Sequence, residues 1–411
     1  MRRFLTALHR VLGLLTAGFL FVAGATGALI AWDHELDALL NPRFYRAAQA
    51  SAPVDMERAL AFADRLEQRD ARLRVTWLPL ANEDNEALLL SVGPRLNPAT
   101  GHAFDLGFNQ VALDPSTGQT QAQREWGAVS LSRENILPFL YKLHYSLHIP
   151  DVGSFRLGLW VMGLIAVAWV IDSVIALIIA FPSRKAWRKS FRIRWQSGAT
   201  RLNFDLHRSG GVWVWPLLLV LAITAVSMNL RDSVMRPVVS LFSTLTPDPL
   251  EQFEGAHGSD PQTPAVTRAQ VLELAQIEAK RRGFAAPVGG MFFANEEGTY
   301  GVGFFEPGNS HGDGGLGNAY LHYDGRDGRF LGAEVPGEGS AGDLFLQAQF
   351  PLHSGRIAGV AGRVIVTLLG LAIAGLSVTG LVIWAQRRRK TRARQSAVSP
   401  SPLSAPSEAF E

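Results

Sequence analysis

The sequence predicts an α-helical membrane protein: four transmembrane helices from an internal duplication, with a small α+β domain between the helices of each half. Three observations predict it. Hydrophobic residues make up 47% of the 411, and they concentrate in four stretches, at 11–32, 157–181, 211–230 and 358–385, each near the bilayer-crossing length of about 20 residues. Basic residues cluster beside these stretches, on one side only. The triplet Leu-His-Arg opens both halves, at Leu8-His9-Arg10 and Leu206-His207-Arg208.

The first unit is 1–32, with Arg2, Arg3 and Arg10 ahead of an apolar run that carries no charge. That run is longer than a signal-peptide core, and the topology requires it, so it reads as an uncleaved anchor. Residues 33–154 form the first external domain and 155–182 the second span. A basic loop follows at 183–209, with Arg184, Lys185, Arg188, Lys189, Arg192, Arg194, Arg201 and Arg208. The third span is 210–230, the second external domain 231–356, and the fourth span 357–386, whose one internal charge is Arg363. The tail, 387–411, begins with Arg387, Arg388, Arg389 and Lys390 and ends in a Ser/Pro/Ala-rich stretch that reads as disordered. Four spans put all three basic clusters on one face, which the positive-inside rule makes cytoplasmic, together with both termini. Clusters that flank spans so regularly are topology signals rather than a nucleic-acid surface.

Each external domain repeats one plan. A helix is predicted over 54–69 ("VDMERALAFADRLEQR") and over 266–283 ("VTRAQVLELAQIEAKRRG"). Strand-like runs follow, "RLRVTWLPL" and "ALLLSVG" in the first half, "GGMFFAN" and "YGVGFFEP" in the second. Both domains then show an Asp-x-x-x-Gly hairpin, in "QVALDPSTGQTQ" and "AYLHYDGRDGRFLG".

Four of the ten histidines recur at matching places: His9 with His207, and His144 with His353. By topology the first pair lies at the cytoplasmic edge and the second at the external edge. Each pair therefore occupies one depth on two helices, as a bis-imidazole haem requires. Gly13 and Gly211, four residues after His9 and His207, share the ligand's helix face and leave room for the ring. Arg10, Arg208, Arg156 and Arg363 are candidates to pair with propionates. Two histidines make a poor zinc site, which wants four ligands. With no cysteine, disulfides, iron–sulfur clusters and thiolate haem are excluded.

His148 lies four residues after His144 and is the alternative ligand, or a propionate or substrate contact; His144 is preferred because it aligns with His353. His34, His102, His257, His311 and His322 read as surface or structural, although His311 and Asp313 lie in a Gly-rich loop able to touch a substrate. Asp172 is the one acid deep in a span, serving either a proton path or the packing of the bundle. Trp160, Trp169, Trp213 and Trp215 read as belt or core residues. Pro216 is expected to kink the third span.

The stretches "LHRVLGLLTAGFLFVAGATGALIAWDHELDALLNP", "FLYKLHYSLHIPDVGSFRLGLWVMG", "RLNFDLHRSGGVWVWPLLLVL" and "FPLHSGRIAGVAGR" resemble the PepSY-associated transmembrane family of bacterial inner-membrane proteins. The resemblance runs from about residue 5 to 390. It implies PepSY-like periplasmic domains, membrane-embedded haems and reduction of ferric siderophores at the periplasmic face. The resulting expectation is a wire of two haems b: an electron enters near His9 and His207, from a cytoplasmic reductant or quinol, and leaves near His144 and His353. No Rossmann glycine fingerprint is present, so the electron source is another molecule. Three other readings stay open. One is a quinone-linked electron-transfer subunit with another acceptor. Another is a haem-free regulator acting through its PepSY-like domains. The third is a transporter, for which four largely unbroken helices form a poor path.

Overall fold

The computed structural model describes residues 1–153, 155–181, 183–250 and 260–398; His257 and the end of the tail lie outside the described residues. Among the described residues, four helices are long and apolar enough to cross a membrane: Arg2–Ile30, Leu157–Ala180, Ala199–Asn229 and Arg356–Ala393. The third has three parts. An α-helical start, Ala199–Asp205, passes through a π-helical turn, Leu206–Gly210, into the α-helix Gly211–Asn229, which continues through Pro216. The first and fourth helices pack backbone to backbone. A Cβ built on Gly24 would stand 2.6 Å from the carbonyl oxygen of Gly370, so only glycine permits this crossing.

The inter-span segments supply eight strands: β1 (Leu73–Pro79), β2 (Leu88–Pro94), β3 (Gln110–Leu113) and β4 (Thr120–Arg124) from the first, β5 (Val288–Ala294), β6 (Thr299–Phe304), β7 (Ala319–Asp324) and β8 (Phe330–Glu334) from the second. They form one antiparallel sheet in the order β4-β3-β2-β1-β5-β6-β7-β8. The segments, read from sequence as two separate domains, thus share a sheet. Its seam pairs Trp77 with Phe292, Leu78 with Met291 and Pro79 with Gly290. An open β1 or β5 would present a row of unpaired backbone groups, and the seam removes both edges at once.

The helices Met56–Arg69 and Arg268–Arg282 add their apolar faces to a core drawn from both segments, including Phe62, Leu78, Leu90, Val271, Met291, Val302 and Leu321. Both helices start on a capped residue: Asp55 accepts from the Arg58 amide at 2.8 Å, and Thr267 forms a capping box with Gln270. The two predicted hairpins close as expected, with Gly118 and Gly328 at φ +68° and +75°, conformations that favour glycine. Two further helices, Ile136–Ser146 and Gln349–Ser354, lie between the sheet and the second and fourth spans. They carry His144 and His353.

Candidate functional site: two facing histidine pairs

The fold brings the four repeated histidines together two by two. At the sheet end of the bundle, the His144 and His353 ring centroids are 6.1 Å apart, tilted by 59°. At the end beside the basic loop, His9 and His207 are 6.3 Å apart, tilted by 47°. Two metal–nitrogen bonds of about 2 Å in line, with each nitrogen about 1 Å from its ring centre, span about 6 Å between centroids. Both separations match that figure.

The partners of each ring fix its tautomer. His144 donates from Nδ1 to the carbonyl of Ala23 at 3.0 Å, with the Thr26 hydroxyl at 3.1 Å. His353 Nδ1 meets the Thr224 hydroxyl at 2.9 Å. His207 Nδ1 lies 3.1 Å from both the Leu376 carbonyl and the Thr379 hydroxyl. His9 Nδ1 lies 2.8 Å from the Asp172 carboxylate. Thr26, Thr224 and Thr379 each spend their own proton on a carbonyl one turn back, at 2.7, 2.9 and 2.8 Å. Their oxygens are therefore left to accept. Every acceptor around the four rings accordingly calls for a proton on Nδ1, which leaves the Nε2 lone pairs without a hydrogen bond. That is the form in which an imidazole binds a metal, with its second nitrogen anchored by a carbonyl, hydroxyl or carboxylate. Burial also lowers the pKa of His144, and that of His353 to about 3, which keeps both rings neutral.

These second-layer partners repeat as the histidines do. Thr26 and Thr224 each lie 17 residues after the histidine of their own helix, and Asp172 and Thr379 each lie 16 residues after Arg156 and Arg363. The sequence reading missed the threonines, although this equal spacing is visible in it. It also missed Gly27 and Gly380. A Cβ there would come within 2.9 Å of His144 Cε1 and 3.0 Å of His207 Cε1, so these two glycines let the rings approach. Gly13 and Gly211 play a different part. Added Cβ atoms would meet only Asp172 at 4.0 Å and Leu376 at 3.6 Å, which leaves space beside the basic-end pair.

His148 is not part of the sheet-end pair. Its helix ends at Ser146, and Leu147 and His148 take left-handed φ angles of 55° and 54°. The turn removes the shared helical face and stacks His148 on Phe139 at 4.5 Å, with Nε2 donating to the Phe139 carbonyl. Arg363 is buried over the Trp32 ring and bonded to Glu35 at 2.6 Å. Arg208 donates to the Lys189 carbonyl, and its buried Nε has no partner among the described residues. Arg10 and Arg156 are exposed. His311 is exposed too, but its Gly-rich loop is tied down: Asp313 pairs with Arg356, three residues after His353, at 2.6 Å. Trp160 and Trp169 pack in the bundle, Trp215 donates to the Ser173 carbonyl, and Trp213 is largely exposed.

Among the described residues, no three or more of His, Cys, Asp and Glu gather as a metal-binding group. The donor set is thus two isolated imidazoles per site. It suits an iron whose other positions are filled by a porphyrin, and it is too small for a bare zinc ion. Compared with known families, the chain matches the PepSY-associated TM region over residues 6–387. No curated protein matches it.

Proposed function

Because the chain belongs to the PepSY-associated TM region family, we propose that it is a di-haem b oxidoreductase of the bacterial inner membrane, which carries electrons across the bilayer and reduces a ferric siderophore. In this reading the basic loop and both termini are cytoplasmic and the eight-stranded sheet is periplasmic. The observation that carries the reading is the geometry of the four rings: two pairs, each about 6 Å between centroids, each ring anchored through Nδ1 and free at Nε2. A haem held at each pair supplies the one-electron chemistry, and iron leaving the ferric state is bound less tightly by hard oxygen ligands.

The chain's own part is to place and insulate. His9 and His207 fix one site beside the basic loop, where a cytoplasmic reductant or a quinol delivers the electron. His144 and His353 fix the other under the sheet, on the short helices Ile136–Ser146 and Gln349–Ser354. Thr26 and Thr224 hold the sheet-end rings in their orientation. The siderophore docks on the sheet side, above His144 and His353.

The reading is tested with the purified chain in vesicles, supplied with a quinol or reductant on one side and a ferric hydroxamate on the other. Production of Fe(II), trapped by a ferrous chelator, should follow addition of the donor and disappear in His144→Ala. Undiminished Fe(II) production by His144→Ala would contradict the assignment.

A further inference from the structure

The two halves support their histidines alike at the sheet end and differently at the basic end. Thr26 and Thr224 present the same hydroxyl to the sheet-end rings. At the basic end the matching positions diverge: Thr379 holds His207 with a hydroxyl, and Asp172 holds His9 with a carboxylate. We infer that Asp172 is a positioning residue that makes the basic-end site the lower-potential one, and so gives the electron path its direction. The inference rests on the haem reading above.

The duplication supplies an internal control. At the other three positions a threonine hydroxyl, joined by a backbone carbonyl at His144 and His207, orients the ring, so orientation alone does not require a carboxylate. A carboxylate inside an apolar helix is also expensive. Asp172 is only 8% exposed, and His9 is its one hydrogen-bond partner among the described residues. What a carboxylate adds is charge. Accepting the Nδ1 proton at 2.8 Å, it pulls that proton toward itself and makes Nε2 a stronger donor. A stronger axial donor and a nearby negative charge both favour ferric over ferrous iron and lower the reduction potential. With little water between the groups, the effect is weakly screened. Among the described residues the sheet-end rings have only carbonyl and hydroxyl partners. An electron moving from a haem held by His9 and His207 to one held by His144 and His353 would then run downhill.

Spectroelectrochemical titration of the purified full chain tests this, with haem quantified per chain and His9→Ala used to assign the basic-end component. Asp172→Asn keeps the side-chain shape and should retain both haems, raise the lower midpoint potential and leave the higher one in place. Thr379→Asp places a second carboxylate on His207 and should lower the basic-end potential further. It also decides the matter should Asp172→Asn lose its haem. Both haems loaded with both potentials unchanged in Asp172→Asn, or a basic-end potential unmoved by Thr379→Asp, would overturn the inference while leaving the haem reading intact. A wild-type chain without haem would overturn the reading beneath it.

Discussion

The two histidine pairs have nearly the same separation, 6.1 and 6.3 Å, yet they are built by different means. The sheet-end pair sits on short helices outside the spans, where carbonyl and hydroxyl oxygens anchor both rings. The basic-end pair sits within long helices, where His207 meets a carbonyl and a hydroxyl while His9, still 26% exposed, relies on a carboxylate. A duplicated chain can therefore keep the spacing of a site while each copy finds its own way of anchoring it. The contrast has measurable consequences.

The largest concerns the rings themselves. Loss of His353 or of His207 should each remove one haem and abolish transmembrane electron transfer, with the haem of the other end retained; a chain that loses both haems together would show that the two sites do not form independently. Next come the glycines against the rings. Gly27→Val should empty the sheet end and Gly380→Val the basic end, because the added atoms occupy the ring's place. Equal damage at both ends from either change would refute the assignment.

His322 sharpens the comparison from outside. It is buried in β7 with neither ring nitrogen bonded among the described residues, so it shows what burial does without a facing histidine. Burial lowers its pKa to about 4, partly offset by Asp248. The unfolded chain therefore binds the extra proton between pH 6.5 and about 4. Stability is complete above that window and falls as pH drops through it, by about 3 kcal/mol at most. His322→Leu should flatten the fall, measured as the pH dependence of the melting temperature.

The smallest effect separates two threonines at the sheet end. Among the described residues Thr224 is the one partner of the His353 Nδ1 proton, whereas His144 keeps the Ala23 carbonyl when Thr26 is removed. Thr224→Val should weaken haem retention by about 1–3 kcal/mol, the cost of an unpaired buried donor; Thr26→Val should cost less. The reverse order would show that the hydroxyls do not act as acceptors here.

The features readable in the sequence were those with a local or repeated signal. Hydropathy marks the four long helices. The Asp-x-x-x-Gly turns mark the hairpins ending at Gly118 and Gly328. Repetition singles out His9, His207, His144 and His353 from the ten histidines. The β1–β5 seam left no such signal, because Trp77 and Phe292 are far apart in the chain and either strand reads the same paired or at an edge. His148 was misplaced because four-residue spacing presumes a continuing helix, and the left-handed Leu147 ends it. Arg363 looked like a propionate partner on sequence order alone, with no hint that Glu35 folds onto it. The role of Asp172 depends on a neighbour from another helix, His9, which no local pattern can supply.

The most direct measurement is a reduced-minus-oxidised visible spectrum of the detergent-purified chain, expressed with ample iron, with haem quantified for the wild type and for His353→Ala. The account predicts a b-type spectrum with about two haems per chain, falling to about one in the variant. A wild-type chain that carries no haem under those conditions would contradict it.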